Sequence, residues 1–232
     1  MTFVLVHSPF LGPSCWEAVG AALLSQGAAS HRLDLRVALS AEAGLYDALG
    51  RLAARQIAGP AILVVHSGAG ALAPTIVRHA GDVILGAIFV DALLPHPGRA
   101  WIDTAPSGLV RYLRAEACDG CVPAWPAWIP PGQLARLLPE PAMLEALTRT
   151  APLVPLRFLE EPAPDSQDQS LPPCAYLQLS AAYDAEAAQA RRLHWPMERF
   201  DGHHLSLMTE PVGVAAMIIR LRKNLTPLLS TD

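Results

Sequence analysis

Val65-His66-Ser67-Gly68-Ala69-Gly70 stands where an apolar run of strand length gives way to a helical pattern. A serine on so sharp a strand-to-helix turn projects its hydroxyl above the sheet, and the close packing there favours very small neighbours on the helix side. Gly68, Ala69 and Gly70 supply them. The N-terminus of the following helix also presents backbone N–H groups to a developing oxyanion. The usual form of such a turn, Gly-x-Ser-x-Gly, puts glycine at 65 and 69, and this chain has Val65 and Ala69 there.

The same stretch admits a second reading. Gly68-Ala69-Gly70-Ala71-Leu72-Ala73 spells a G-x-G-x-x-G/A dinucleotide fingerprint between a strand and a helix, with Asp91 about twenty residues on to take a ribose hydroxyl. That NAD(P)-binding, Rossmann-like reading ranks lower. The fingerprint belongs to the opening βα turn, whereas here a βα unit and another strand come first, and it leaves Ser67 and the C-terminal histidines without a role.

Outward from Ser67 the chain alternates strands with helices. Thr2–His7 is a β-branched apolar run, and Ser14-Cys15-Trp16-Glu17 fits a capping box opening a helix that Gly27 can close. Arg32–Arg36 reads as a short second strand. Leu45, Leu49, Leu52, Ala53 and Ile57 mark a helix face ended by Gly59-Pro60. Ala61–Val65 is a strand, Ala71–His79 a helix and Val83–Val90 a strand with almost no polar residue, which is the pattern of a parallel sheet covered by helices. The alternation resumes with a strand at Ala175–Leu179, a helix through Ala190, a strand at Met197–Phe200 and a helix after Pro211.

Between these halves the composition changes. Fifteen of the 22 prolines and three of the five tryptophans, Trp101, Trp125 and Trp128, fall in 95–173, together with amphipathic pieces at Gly108–Ala117, Gln133–Leu138 and Met143–Thr148. That segment is too regular in its apolar pattern for a linker. The expected organisation is one core formed by 1–94 and 174–232, with 95–173 inserted as a helical lid over the strand ends, Trp125 and Trp128 lining the pocket beneath it.

Composition narrows the function. A hydrophobic fraction of 52% with 16% charged residues suits elements buried on both faces, and a net charge of −4 argues against a nucleic-acid partner. No apolar run reaches the roughly 18–20 residues of a membrane span, and no signal peptide is visible, so a cytoplasmic protein is expected. Cys15, Cys118, Cys121 and Cys174 are then expected to be reduced, and the single Cys118-Asp119-Gly120-Cys121 reads as a turn rather than a metal or redox site. Neither metal nor cofactor is expected. The sequence sets no oligomeric state.

Two further segments resemble one known family. Phe3-Val4-Leu5-Val6-His7-Ser8-Pro9-Phe10-Leu11-Gly12-Pro13-Ser14-Cys15-Trp16 resembles the first strand and oxyanion loop of α/β-hydrolases, and Asp201-Gly202-His203-His204-Leu205-Ser206-Leu207-Met208-Thr209-Glu210-Pro211 resembles their catalytic-histidine loop. The spacings look closest to the branch of plant-type methylesterases and hydroxynitrile lyases. The resemblance covers about two-thirds of the chain, without the insertion, and implies an α/β-hydrolase fold with the order serine, acid, histidine. It puts the catalytic base at His204, leaving His203 to pack the loop or face solvent. For the acid it offers two positions. Asp91, in Gly86-Ala87-Ile88-Phe89-Val90-Asp91-Ala92, resembles the haloalkane dehalogenases, which carry their acid after this strand. Asp184 follows the next sheet strand, the commoner position, but one residue late. Asp91 is preferred; Glu160 and Glu161 are expected at the surface, with reach toward the pocket as the alternative.

The resemblance implies a small-molecule substrate and a mechanism. Ser67 attacks an acyl carbon of a small, largely apolar ester, thioester or lactone, His204 shuttles the proton and Asp91 orients His204. Gly68 N–H is one oxyanion donor. The other falls at Pro9, which has no N–H, so Phe10 N–H or the Ser8 hydroxyl must serve instead. Two alternatives stay open: a lyase or cyclase that uses Ser67 and His204 only for acid–base chemistry, and a non-catalytic binding protein on the same scaffold.

Overall fold

The apolar runs of the sequence become strands β1 (Thr2–Val6), β2 (Ser30–Arg32), β3 (Ala61–Ser67), β4 (Ile84–Ala92), β5 (Cys121–Val122), β6 (Val154–Pro155), β7 (Cys174–Gln178) and β8 (Met197–Arg199). Six of them form one parallel sheet in the order β2-β1-β3-β4-β7-β8. The computed structural model describes residues 1–130, 132–165 and 171–229. The helices are α1 (Glu17–Ser25), α2 (Leu45–Arg55), α3 (Ala73–Ala80), α4 (Ser107–Ala115), α5 (Gln133–Leu137), α6 (Pro141–Thr150), α7 (Leu156–Glu160), α8 (Asp184–Arg192), α9 (Ser206–Thr209) and α10 (Pro211–Leu229).

Near-continuous apolar strands mean a sheet buried on both faces. Alternate residues feed two cores. Val4, Val6, Leu63, Val65 and Phe89 pack with α2, α3 and α8, while Phe3, Leu5, Ile62, Val64, Ile88 and Val90 pack with α1 and α10. Among the described residues no helix is long and apolar enough to cross a membrane.

Two local expectations are corrected. The second strand pairs at Ser30–Arg32 rather than along Arg32–Arg36. Past Leu33 the backbone turns away because Leu35 N–H donates to His7 Nε2 at 3.1 Å and Asp34 binds the Arg36 guanidinium, and Arg36–Ser40 becomes a 3₁₀ turn. The Ser14–Glu17 capping box does not form either. Pro13–Trp16 is a 3₁₀ turn, and Ser14 Oγ instead meets Thr150 Oγ1 at 2.7 Å.

That hydroxyl pair marks a seam. The segment between β4 and β7 carries α4 to α7 and the short antiparallel ribbon of β5 and β6, and its residues 131 and 166–170 lie outside the described residues. The end of α6 presses on the loop after β1 so closely that a Cβ on Gly12 would fall 2.7 Å from the Thr150 carbonyl oxygen. Only glycine fits there.

Candidate active site

Ser67 ends β3 with φ 57° and ψ −129°, a conformation that non-glycine residues hold only when surrounding contacts impose it, at a cost of about 1–3 kcal/mol. Leu93 N–H donates to the Ser67 carbonyl at 3.1 Å and fixes the turn. The tight 3₁₀ stretch Gly68–Leu72 follows, so α3 begins at Ala73 rather than Ala71. A Cβ on Gly70 would lie 1.8 Å from the Leu93 carbonyl oxygen, which explains the glycine there. The rival dinucleotide fingerprint therefore has its middle glycine pressed onto the backbone after β4.

Asp91 sits opposite the same turn. His66 pairs with Val90 and Ser67 with Ala92, so Asp91 is an extra residue in the ladder, at φ 42°. Such bulges re-aim side chains. The Tyr176 hydroxyl clamps the strand end, donating to the Ala92 carbonyl at 2.9 Å and accepting Ala92 N–H at 3.2 Å. The fully buried Asp91 carboxylate accepts His204 Nδ1–H at 2.8 Å, the Ser180 hydroxyl at 2.7 Å, and the Leu179 and Ser180 N–H groups at 2.9 and 3.0 Å. Burial alone would push its pKa up, but these hydrogen bonds, led by His204, outweigh it and hold the carboxyl below its ordinary value. The remaining acidic candidates lie elsewhere. Asp184 accepts a bond from Gln178, Glu160 pairs with Arg114, and Glu161 accepts Leu45 and Tyr46 N–H at the start of α2.

His204 is sandwiched. His66 lies on one side with ring centroids 4.5 Å apart, and Tyr183 on the other at 5.0 Å and 11° from parallel. His66 Nε2–H donates to the His204 carbonyl at 3.1 Å, and burial, then the nearby His204, lowers its pKa to about 3, so it stays neutral. No hydrogen bond between Ser67 and His204 is among those the described residues make. Ser67 Oγ instead meets Tyr183 Oη at 3.2 Å, because the phenol ring lying along His204 brings its oxygen to the serine. His203 packs the loop, its Nδ1 accepting Leu205 N–H and its Nε2 meeting Thr209 Oγ1.

The loop after β1 closes the other flank of Ser67. Ser8 to Leu11 is a turn closed by Leu11 N–H on the Ser8 carbonyl at 2.9 Å, with Pro9 in the position its fixed φ suits. His7 Nδ1–H also donates to that carbonyl, at 2.7 Å. Phe10 N–H is spent on Ser8 Oγ at 3.3 Å. A Cβ on Gly68 would be 3.2 Å from Ser8 Oγ and 3.4 Å from the Phe10 ring, so this hydroxyl stands beside the turn. The segment between β4 and β7 reaches the same place. Trp101 and Trp128 pack edge-on against Phe10 at 5.1 and 4.8 Å, and the Trp125 ring lies 6.4 Å from His204.

A model of the alpha/beta hydrolase family matches residues 3–217. The chain belongs to the alpha/beta hydrolase family. Similar solved structures span nearly the whole enzyme. An extracellular α/β-hydrolase from a Paenibacillus species, described as sharing structural and functional homology with tobacco salicylic acid binding protein 2, superposes with TM-score 0.76 at 20% identity, covering 95% of this chain and 98% of that one. Tomato methylketone synthase I complexed with 2-tridecanone gives 0.66 at 20%, covering 96% and 98%. Polyneuridine aldehyde esterase gives 0.69 at 15%, covering 95% and 98%. At these identities the likeness is one of fold. No curated protein matches.

Nothing local in the sequence marks Tyr183. It precedes α8 with no motif around it, and only the pairing of β7 beside β4 brings it to Ser67. The sequence places His66 in the same strand-to-helix turn as Ser67, but nothing in it marks His66 as the neighbour of His204. The Cys118–Cys121 turn is a backbone feature, the two residues exchanging N–H···O bonds of 2.9 Å around Asp119 and Gly120, and both thiols are free.

Proposed function

We propose that this α/β-hydrolase is a serine esterase acting on a small, largely apolar ester, thioester or lactone. The observation that carries this is the 2.8 Å bond from His204 Nδ1–H to a buried, ionised Asp91, beside a serine held in a strained turn. With its Nδ1 proton committed, His204 presents the Nε2 lone pair as base, and Asp91 stabilises the imidazolium that forms. Ser67 Oγ, turning from Tyr183, attacks the acyl carbon. Gly68 N–H receives the oxyanion on one side. Ser8 supplies the second donor, because a hydroxyl that accepts from Phe10 keeps its own proton to give. Residues 95–173 act as a lid, and Phe10, Trp125 and Trp128 give the acyl group an apolar wall. The reading includes a cytoplasmic site of action, in keeping with the four free thiols.

A second reading keeps the pocket but not the acyl-enzyme. With no N–H at Pro9 and that of Phe10 already engaged, Ser67 and His204 would move protons for a lyase or cyclase. A fluorophosphonate probe decides between them. Under the esterase reading it labels the wild type and not Ser67→Ala, and short acyl esters are hydrolysed. An unlabelled, correctly folded wild type would end that reading.

A further inference from the structure

Resting on the serine-hydrolase reading, we infer that Tyr183 is a further catalytic residue, whose hydroxyl receives the leaving-group oxygen of the substrate while its ring holds the imidazole of His204 in plane. Two contacts support it. Tyr183 Oη lies 3.2 Å from Ser67 Oγ, the reacting atom, and the phenol ring lies 11° from parallel over His204. With His66 on the opposite face, the imidazole is fixed in orientation from both sides.

The strand order says which part of the substrate Tyr183 meets. The sheet runs β1, β3, β4, β7, so the loop after β1, with Ser8, and the loop after β7, with Tyr183, flank Ser67 from opposite sides. The oxyanion donors are on the β1 side. Tyr183 is on the side of His204, where the departing oxygen takes its proton. It therefore does not replace the donor missing at Pro9.

In the acylation step, the Ser67 Oγ–carbon bond forms as the serine proton passes to His204 Nε2. The carbon–oxygen bond of the ester then breaks, its electron pair goes to the leaving oxygen, and that oxygen takes the proton from His204. Tyr183 donates a hydrogen bond to the same oxygen and keeps its proton throughout. Burial, which raises the pKa of its phenol well above the ordinary value, keeps it a donor. The substrate class that benefits is an ester of an unactivated alcohol, whose leaving oxygen bears concentrated negative charge as it departs.

The test compares alkyl and p-nitrophenyl esters of one acyl chain in the wild type, Tyr183→Phe and Tyr183→Leu. Tyr183→Phe keeps the ring and loses the hydroxyl. It is expected to lower kcat/KM about tenfold or more on the alkyl ester and less than about threefold on the p-nitrophenyl ester. Its rate of labelling by a fluorophosphonate, where the leaving group is fluoride, should stay within about threefold of wild type. Tyr183→Leu, which removes the stack as well, should slow both esters. Equal losses on the two esters in Tyr183→Phe, or no loss, with labelling intact, would overturn the role of Tyr183 and leave the serine reading standing. A wild type that neither labels nor hydrolyses either ester would overturn both.

Discussion

The imidazole of His66 lies against that of His204, ring centroids 4.5 Å apart and planes 28° from parallel, although 138 residues separate them in the chain. A buried histidine in that place cannot afford a charge. Burial lowers its pKa to about 3, and burial likewise depresses that of His7 under the loop after β1.

Acid stability should follow from the burial of His66 and His7. Both histidines stay neutral in the fold but take up a proton in the unfolded chain below about pH 6.5. For His66 that contribution is thus complete above that pH and falls as the pH drops toward 3, and His7 adds to the loss in the same direction. His66 alone should steepen the loss by about 1.4 kcal/mol per pH unit well below pH 6.5. Urea midpoints at pH 7.5, 6 and 5 measure the slope, and His66→Phe, which keeps a ring in the stack, should make it shallower. An unchanged slope in that variant would show His66 to be uninvolved.

Asp91→Asn should cost about a hundredfold or more in kcat, because an amide neither fixes the His204 tautomer nor balances its charge. Asp184→Asn should stay within about threefold, since Asp184 touches Gln178 rather than His204. Steady-state ester hydrolysis in both variants decides which carboxylate acts, and the reverse ranking would move the acid to the loop after β7.

Weak turnover of simple esters is expected of the unmodified enzyme, because the rotatable Ser8 hydroxyl stands where a fixed backbone N–H would otherwise donate. Pro9→Ala restores an N–H in a turn that tolerates alanine, and it should raise ester hydrolysis about tenfold or more. Ser8→Ala should lower it by about the same factor. On the acid–base reading, Pro9→Ala would leave the native reaction unchanged or harm it. Fast hydrolysis by the wild type, with no gain from Pro9→Ala, would mean that Ser8 and Gly68 already suffice.

Glu161 should matter for folding alone. Helix α2 begins after Gly44 without a side-chain cap of its own, and the Glu161 carboxylate accepts its first two N–H groups from 116 and 115 residues away. Glu161→Ala should cost about 1 kcal/mol in chemical denaturation with ester kinetics unchanged. A large loss of activity at full stability would place Glu161 in the pocket instead.

Ser67, its small neighbours, the buried strands and His204 could be read from the sequence because each leaves a local mark: a period, a turn residue, a spacing. Asp91 was readable as the polar end of an apolar strand, but the bulge that turns it toward His204 was not, since a register shift belongs to two strands at once. Leu33 and Leu35 look like strand residues and are buried like them, yet His7, just past the end of β1, captures the backbone and ends the pairing. Tyr183 and Glu161 act on partners 116 residues distant, and nothing in their own neighbourhoods announces it.

The seam at Gly12 has an evolutionary consequence. Because the Thr150 backbone occupies the place of any side chain at position 12, and Ser14 shares a hydroxyl contact with Thr150, the insertion and the first loop must change together. The segment that carries α6 is therefore no interchangeable cassette. A chimera joined only at the two ends of the insertion would carry its misfit four residues from Ser8, and a relative that acquired a new insertion would need a compensating residue before it gained a new substrate.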